Sequence, residues 1–169
     1  MNQILSDLYV RDSVTGLYNR MGYQKLSISY FTIMREKKMP VLVMFIDLDR
    51  LKYINDTFGH EYGDFAIISI AKAMLKHCDA DAIAARTGGD EFIVLEGAKD
   101  EESGRVLAQK IRTELSKAQR SMQLPFDLSA SIGAVVAHPG EENVLESYVK
   151  RAEMLMYEEK AEKKVSRDS

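Results

Sequence analysis

The sequence predicts one α/β domain in which helices cover a mixed or antiparallel β-sheet. Its composition is the first observation, because 169 residues with 46% hydrophobic and 29% charged residues are typical of a single soluble domain with a sizeable core. The order of the apolar patterns is the second. It reads helix, strand, helix, strand, strand, helix, strand and helix, and this alternation builds a sheet with helices packed on it.

Local patterns justify each element in turn. A helix is predicted from Arg20 to Lys38, ending before Pro40. The continuous apolar run VLVMFI predicts a strand that is buried on both faces. A helical region follows, with a break near FGHEYGD and a second part over FAIISIAKAMLKHC. The remaining patterns predict a hairpin of AIAAR and EFIVLE, a helix from Glu101 to Gln119, a strand within FDLSASIGAVVA and a final helix over NVLESYVKRAEMLMYEEKAEKK.

Composition and the two ends of the chain restrict the function classes. A net charge of −3 indicates no general affinity for nucleic acid or anionic membranes, and no apolar run is long enough to span a bilayer. Residues 1–11 predict either a short helix that caps this domain or the end of a linker helix from an upstream domain. Residues 165–169 predict a disordered polar tail. The single Cys78 indicates a reducing compartment and follows a helical pattern typical of a packing residue.

Acidic residues lie where two of the predicted strands meet. Asp47 ends the buried strand, where a carboxylate is costly to desolvate without a cation. Asp90 and Glu91 lie in the hairpin turn, beside Gly88 and Gly89, which tolerate a positive φ and let a bulky ligand approach the backbone. If EFIVLE pairs beside VLVMFI, the three acids converge, and Mg²⁺ or Mn²⁺ would relieve their repulsion. On the residues alone, a metal-dependent phosphate site and a solvated acidic turn are both open.

Asp49 follows Asp47 at a spacing of two, which places both on the same side of a strand. A calcium loop that begins at Asp47 is excluded, because its sixth position would be Lys52 instead of glycine and its twelfth Phe58 instead of glutamate. The predicted role of Asp49 is to cap the helix that follows.

Five separated motifs resemble those of the diguanylate cyclase, or GGDEF, domain family. In chain order they are DSVTGLYNR, FIDLDRLKYINDTFGHEYGD, ARTGGDEF, SIGA and AEMLMYEEK. Their order and spacing match from about Asp12 to Lys164, so the resemblance implies one catalytic domain over residues 12–164. It also implies a ferredoxin-like βαββαβ core with a mixed or antiparallel central sheet flanked by helices, related to nucleotidyl cyclases and polymerase palm domains.

The resemblance implies synthesis of cyclic di-GMP from GTP. In the family, two GTP-loaded subunits face each other, and each 3′-hydroxyl attacks the partner's α-phosphorus, so that two pyrophosphates leave. A cytoplasmic homodimer is therefore expected, with Mg²⁺ or Mn²⁺, two ions per active site, an upstream sensory domain, and no nucleic acid or membrane contact by this segment. The alternative is a catalytically silent GTP-binding sensor or interaction module of the same fold. The presence of all three acids favours the enzyme, since degenerate members usually lose signature acids.

Roles for individual residues also follow from the resemblance. Asp47, the backbone carbonyl of Leu48, Asp90 and Glu91 match the family's metal ligands. Asp90 also matches the base that acts on the 3′-hydroxyl. Lys52 matches a lysine that stabilises charge on the phosphates, and its structural alternative is a surface lysine whose stem covers apolar area.

Further positions match the family's substrate contacts. Asn55 and Asp64 match the residues that read guanine, and a carboxylate suits this role because it accepts from both N1–H and N2–H of the base. Their structural alternatives are a turn cap and a helix N-cap. His60 matches a substrate contact and is otherwise a structural turn residue. Lys160 and Lys164 match phosphate-binding positions of the last helix, although the family usually has arginine where Lys164 stands.

The family's product-inhibition motif is missing ahead of the signature GGDEF, which stands at Gly88 to Phe92. Its Arg-x-x-Asp pattern would fall on Asp79 to Ala82, where neither end matches. No inhibition by cyclic di-GMP through that site is therefore expected. Arg86, just before the signature, is predicted to be structural or to face phosphate.

Overall fold

The computed structural model describes residues 9–141 and 144–169, so most of the predicted N-terminal helix of residues 1–11 lies outside the described residues. The four strands form one antiparallel sheet in the order β2-β3-β1-β4, which confirms the predicted sandwich with a ferredoxin-like core. The elements are α1 (Arg20–Glu36), β1 (Val41–Leu48), α2 (Leu51–Phe58), α3 (His60–His77), β2 (Ile83–Arg86), β3 (Glu91–Gly97), α4 (Ser103–Ser121), β4 (Ala130–Ala137) and α5 (Leu145–Asp168).

Strand β1 lies in the middle of the sheet and is buried along its whole length. Alternate side chains of a strand face opposite sides of the sheet. Leu42, Met44 and Ile46 accordingly pack into the core that α3 and α4 cover, whereas Val43 and Phe45 pack into the core that α1 and α5 cover. Both faces of β1 are therefore apolar, which explains the unbroken run VLVMFI and leaves the end of this strand as the place for a charged group.

Several predicted boundaries shift. The break predicted near FGHEYGD falls at Gly59, whose φ of 102° is one that L side chains rarely adopt. Helix α5 continues through Asp168, so the prediction of a disordered tail for residues 165–169 is wrong up to that residue. Within the described residues, no helix combines the length and hydropathy that crossing a membrane requires. Cys78 packs against the core, and burial raises the pKa of its thiol to about 12, which leaves it unreactive.

The predicted helix cap at Asp49 is wrong, and so is the cap that was the structural alternative for Asp64. Asp49 does not occupy the cap position of α2, which belongs to Arg50, a residue in the left-handed region with a φ of 58°. The carboxylate of Asp49 turns instead toward β4 and α5, where it accepts hydrogen bonds from Ser131 and Lys163. Asp64 lies inside α3, because this helix begins four residues earlier at His60. The short-range patterns identified both helices but misplaced where each one starts.

The outer edge of β2 is covered by the segment that precedes α1. The amide of Tyr18 donates to the carbonyl oxygen of Ala84 at 3.1 Å, and the amide of Arg86 donates to the carbonyl oxygen of Tyr18 at 2.8 Å. Tyr18 thus pairs with β2 in the parallel sense beside Ala85. This contact covers the edge at the end of β2 that leads into the GGDE turn.

Glu96 is a buried carboxyl at the other end of the sheet, in β3. Its side chain is 6% exposed, and its Oε2 accepts a hydrogen bond from the amide of Asp79 at 2.8 Å. Burial raises the pKa of Glu96 to about 7, and the charges of Asp79 and Asp81 act in the same direction. The segment where the product-inhibition motif would fall is therefore acidic in this chain.

We expect Glu96→Gln to raise the free energy of unfolding by roughly 2 to 3 kcal/mol near pH 8. The folded protein holds the Glu96 proton more tightly than the unfolded chain does, so stability falls as the pH rises from 4.5, the ordinary pKa of a glutamate, to about 7. Glutamine removes this loss, and its side-chain oxygen still accepts from the Asp79 amide. Urea unfolding measures the difference: the two proteins should agree near pH 4 and separate near pH 8. Equal stability at the higher pH would contradict the prediction.

Candidate active site

Three carboxylates converge at one end of the sheet. Asp47 pairs with Glu91 across β1 and β3, and the amide of Leu48 donates to the carbonyl oxygen of Asp90 at 2.9 Å. One carboxylate oxygen from each of Asp47, Asp90 and Glu91 lies within 4.8 Å of the other two. The pairing of β3 beside β1 thus brings the acids of the turn to the carboxyl end of β1, as the sequence predicted.

The two glycines of the turn do not supply a positive φ. Among the described residues, glycines with a positive φ are Gly16 and Gly59, so the prediction for Gly88 and Gly89 is wrong. The space around Gly88 and Gly89 explains better why glycines stand at these two positions. A Cβ on Gly88 would lie 3.0 Å from Oε2 of Glu91, whereas a Cβ on Gly89 would meet no atom within 4 Å. Gly88 therefore makes room for an acid of the site, and Gly89 leaves the backbone open to a ligand.

Arg86 fixes the shape of the turn. Its guanidinium donates two hydrogen bonds to the carbonyl oxygen of Gly89, at 2.8 and 3.2 Å, and forms an ion pair of 3.3 Å with Asp12. Asp12 also accepts from the amide and hydroxyl of Thr15, within the motif DSVTGLYNR. Arg86 was predicted to be structural or to face phosphate, and these contacts give it a structural role. They connect the first motif of the chain to the turn that carries Asp90.

Asp47 is a buried acid that forms an ion pair with Lys160. Its exposed fraction is 5%, and its Oδ1 lies 3.0 Å from Nζ of Lys160 in an ion pair. Within the described residues, that oxygen has no donor at hydrogen-bonding geometry. Burial raises the pKa of Asp47 to about 6. The charges of Asp90 and Glu91 also raise this pKa, whereas the contact with Lys160 lowers it.

The donor set fits a divalent metal ion. Carboxylate oxygens are the hard ligands that Mg²⁺ and Mn²⁺ prefer. Three of them lie close enough to share one ion, and Asp47 Oδ1 is a buried acceptor that lacks a hydrogen bond among the described residues. Repulsion among three acids in a partly buried position also favours a bound cation.

A cleft of about 950 Å³ opens beside Asp90, between the start of α2 and the second half of α5. Five basic side chains line it: Arg50, Lys52, Lys160, Lys164 and Arg167. This concentration of positive charge next to three carboxylates suits a polyphosphate that brings metal ions with it. The sequence patterns did not single out Arg50 or Arg167. Arg167 lies three residues after Lys164, on the part of α5 that was predicted to be disordered. Had the helix been predicted to continue, this spacing would have placed Arg167 on the same helix face as Lys164.

The residues expected to read guanine lie at the junction of α2 and α3. Asn55 belongs to α2, and its side-chain amide lies against Gly63 of α3, where a Cβ would overlap Oδ1 of Asn55. Gly63 therefore lets the two helices approach, and it places Asn55 next to the helix that carries Asp64. Asp64 and His60 are exposed, and neither lines the cleft beside Asp90. Their roles stay predictions.

Lys163 anchors α5 to the end of β1. Its ammonium lies 2.8 Å from Oδ2 of Asp49 and 2.7 Å from the carbonyl oxygen of Ala130. The same buried carboxylate accepts from the hydroxyls of Ser129, at 2.7 Å, and Ser131, at 2.6 Å. Burial acts to raise the pKa of Asp49, but these hydrogen bonds outweigh it and hold the pKa below its ordinary value.

Glu159 forms a second anchor one turn earlier on α5. Its Oε2 accepts from the amide of Ile132 at 2.6 Å, and its Oε1 lies 2.5 Å from a guanidinium nitrogen of Arg112 in α4. Strand β4 lies at an edge of the sheet, and two of its outward-facing backbone groups are hydrogen-bonded to α5: an amide to Glu159 and a carbonyl oxygen to Lys163. These two residues also fix the rotation of α5, so Lys160 and Lys164, which follow them in sequence, face the cleft.

We expect Lys163→Met to lower the free energy of unfolding by about 2 kcal/mol, because the buried Asp49 loses its cation while the lysine is itself only partly buried. Lys164→Met is the matched control, since it removes the same charge from an exposed position one residue later. That control should change stability by less than about 0.5 kcal/mol in urea unfolding. Equal losses in the two variants would mean that the contact with Asp49 contributes little.

The comparisons with known proteins agree on one family. The family model described as diguanylate cyclase, GGDEF domain, matches residues 9–166. Diguanylate cyclase VdcA of Vibrio cholerae is 35% identical over 153 residues, which cover 88% of this chain and 43% of that protein. The bifunctional diguanylate cyclase/cyclic di-GMP phosphodiesterase MucR of Pseudomonas aeruginosa is 31% identical, over 94% of this chain and 23% of its own length. The chain thus spans less than half the length of either relative.

Solved structures show the same fold. The coiled coil and GGDEF domain of DgcB from Caulobacter crescentus, in complex with c-di-GMP, matches with a TM-score of 0.78 at 26% identity. The match covers 95% of this chain and 85% of that one.

Proposed function

Because this chain belongs to the diguanylate cyclase, GGDEF domain, family, we propose that it condenses two molecules of GTP into cyclic di-GMP and two pyrophosphates. The observation that carries the proposal is the convergence of Asp47, Asp90 and Glu91 beside a cleft lined by basic side chains. Each 3′-hydroxyl forms a bond to the α-phosphorus of the other GTP, and the bond from that phosphorus to pyrophosphate breaks.

The three acids and the carbonyl of Leu48 would hold Mg²⁺ or Mn²⁺, two ions per active site. When bound, such ions neutralise the triphosphate and stabilise charge on the attacking and leaving oxygens. Asp90 would also accept the proton of the attacking 3′-hydroxyl, and its place among the residues that line the cleft supports this role.

Lys52, Lys160 and Lys164 would bind the phosphates, since all three line the cleft. A lysine acts here as a point charge and lacks the two-pronged geometry of arginine. Arg50 and Arg167 line the same cleft and would supply that geometry. The basic residues therefore offset the charge of a triphosphate that the three acids alone would repel.

Asn55 and Asp64 would recognise guanine, with His60 a neighbouring contact. An Asp64 carboxylate accepts from N1–H and N2–H of guanine, whereas adenine presents no such pair of donors. Binding adenine would leave the carboxylate unpaired, and that penalty rejects the wrong base more strongly than shape alone.

Catalysis would require a homodimer, because one site binds only half of the product. We place the protein in the cytoplasm under the control of an upstream sensory domain, in line with bacterial cyclic di-GMP signalling. Product inhibition through the segment from Asp79 to Ala82 is not expected, since that segment is acidic and lacks the motif.

The experiment that tests the function is incubation with GTP and Mg²⁺ at high protein concentration, with ATP in parallel and products identified by mass. Cyclic di-GMP from GTP alone is the expected result. If none forms, the domain is fused to a dimeric coiled coil and its affinity for a non-hydrolysable GTP analogue is measured. A fused domain that binds the analogue without turnover would be a silent GTP-binding module, and one that does not bind it would refute the GTP interpretation.

A further inference from the structure

Lys160 forms an ion pair with Asp47, and a bound metal ion would compete with it for this carboxylate. Its Nζ lies 3.0 Å from Oδ1 of Asp47, and that oxygen is buried. Asp47 is also one of the three acids whose oxygens converge within 4.8 Å. Among the described residues, the ammonium of Lys160 is therefore the cation that pairs with Asp47 when no ligand is bound.

We propose that Lys160 is an exchangeable counter-ion, which neutralises Asp47 in the empty site and moves to the phosphates when the nucleotide arrives with its metal. The inference rests on the proposed function, because it names how the same site couples its two ligands. A metal ion alone must compete with Lys160 for Asp47. A nucleotide phosphate draws Lys160 away and so prepares Asp47 for the metal.

The surroundings of Lys160 allow this exchange. Its side chain is 35% exposed and lines the cleft, so both the acid and the cleft are within reach of one flexible side chain. The backbone of α5 stays in place, because Glu159 and Lys163 on either side of Lys160 are held to β4 and to Asp49. The motion is thus confined to rotations of the Lys160 side chain.

Coupling between metal and nucleotide follows from this arrangement. A metal ion and the ammonium of Lys160 repel each other at one buried carboxylate, so a metal ion that binds Asp47 without nucleotide has to weaken the ion pair. A ligand that binds Lys160 elsewhere removes this barrier, and by linkage the metal strengthens nucleotide binding by the same factor.

The test measures Mn²⁺ binding to the nucleotide-free protein by electron paramagnetic resonance, for the wild type, Lys160→Met and Lys164→Met. Lys164→Met is the matched control, since it removes an equal charge from the same cleft one turn later on α5. We expect Lys160→Met to bind Mn²⁺ about tenfold more tightly than the wild type, and Lys164→Met to differ by less than about threefold.

A second measurement uses a non-hydrolysable GTP analogue. The analogue should strengthen Mn²⁺ binding in all three proteins, because the metal also contacts the phosphates, but the factor should be about tenfold smaller in Lys160→Met than in Lys164→Met. Both variants should bind the analogue itself more weakly than the wild type.

Unchanged or weaker Mn²⁺ binding by Lys160→Met overturns the proposal, and so does an equal gain in both variants, which would reflect general charge. Undetectable Mn²⁺ binding by every variant without nucleotide overturns it too, since no competition would then exist. These readouts need no turnover, so a silent module could pass them, and an active cyclase could fail them. Failure of the inference is thereby distinguishable from failure of the proposed function.

Discussion

Asp90→Asn is expected to lower the rate of cyclic di-GMP formation by roughly a thousandfold. Asparagine keeps the shape of the side chain, and the backbone carbonyl of residue 90 still accepts from the amide of Leu48, so the turn should keep its structure. What is lost is one of three converging charges and, under the proposed function, the group that accepts the proton of the 3′-hydroxyl.

The initial rate at saturating GTP and Mg²⁺ measures this effect. Glu96→Gln is the matched control, because it makes the same change of acid to amide at the opposite end of the sheet and should keep the rate within about twofold. The Mn²⁺ affinity of Asp90→Asn should also fall. A variant that retained more than about a tenth of the wild-type rate would show that Asp90 is neither the base nor an essential ligand.

Gly133→Ala is expected to lower the free energy of unfolding by about 3 kcal/mol, at the upper end for overpacking. Gly133 lies in β4 where α5 crosses it. A Cβ there would overlap the carbonyl oxygen of Ala152 and lie 2.5 Å from the amide nitrogen of Met156, so it meets backbone that cannot rotate away. Relief would require α5 to move off the sheet, which would also carry Lys160 away from Asp47.

Urea unfolding followed by circular dichroism checks the prediction, with Gly140→Ala as the control. A Cβ on Gly140 meets nothing within 4 Å, so that variant should stay within about 0.5 kcal/mol of the wild type. Affinity for a GTP analogue should fall in Gly133→Ala and not in Gly140→Ala. If the two variants unfold alike, the close packing of α5 on β4 would not limit stability.

The convergence of the acids was predictable because it depends on local patterns. The apolar run before Asp47 marks a strand buried on both faces, and the short link between AIAAR and EFIVLE marks a hairpin. Placing EFIVLE beside VLVMFI then brings Asp90 to Asp47. The roles of single residues came from the family resemblance, since no periodicity distinguishes a phosphate-binding lysine from any other lysine on a helix.

The partners of Asp49 could not be predicted from local patterns. Ser129, Ser131 and Lys163 lie 80, 82 and 114 residues away in sequence, and a cap on the next helix was the nearest local alternative. The same holds for the turn, which Arg86 closes through the carbonyl of Gly89 with no left-handed glycine. Long-range side-chain contacts decided the first case. In the second, the bond from Arg86 to Gly89 is local, but Asp12, 74 residues earlier in sequence, also binds the guanidinium.

The covered edges of the sheet affect how two copies of this chain can meet. At the end that carries the acids, Tyr18 pairs with β2, while Glu159 and Lys163 take the outward amide and carbonyl of β4. An uncovered edge would recruit a strand from another molecule and could lead to growing filaments. A dimer formed at this end, as the proposed function requires, would be held by side chains and turns. Such an assembly would come apart without breaking main-chain pairing, which would suit an activity that is switched on by association and off by separation.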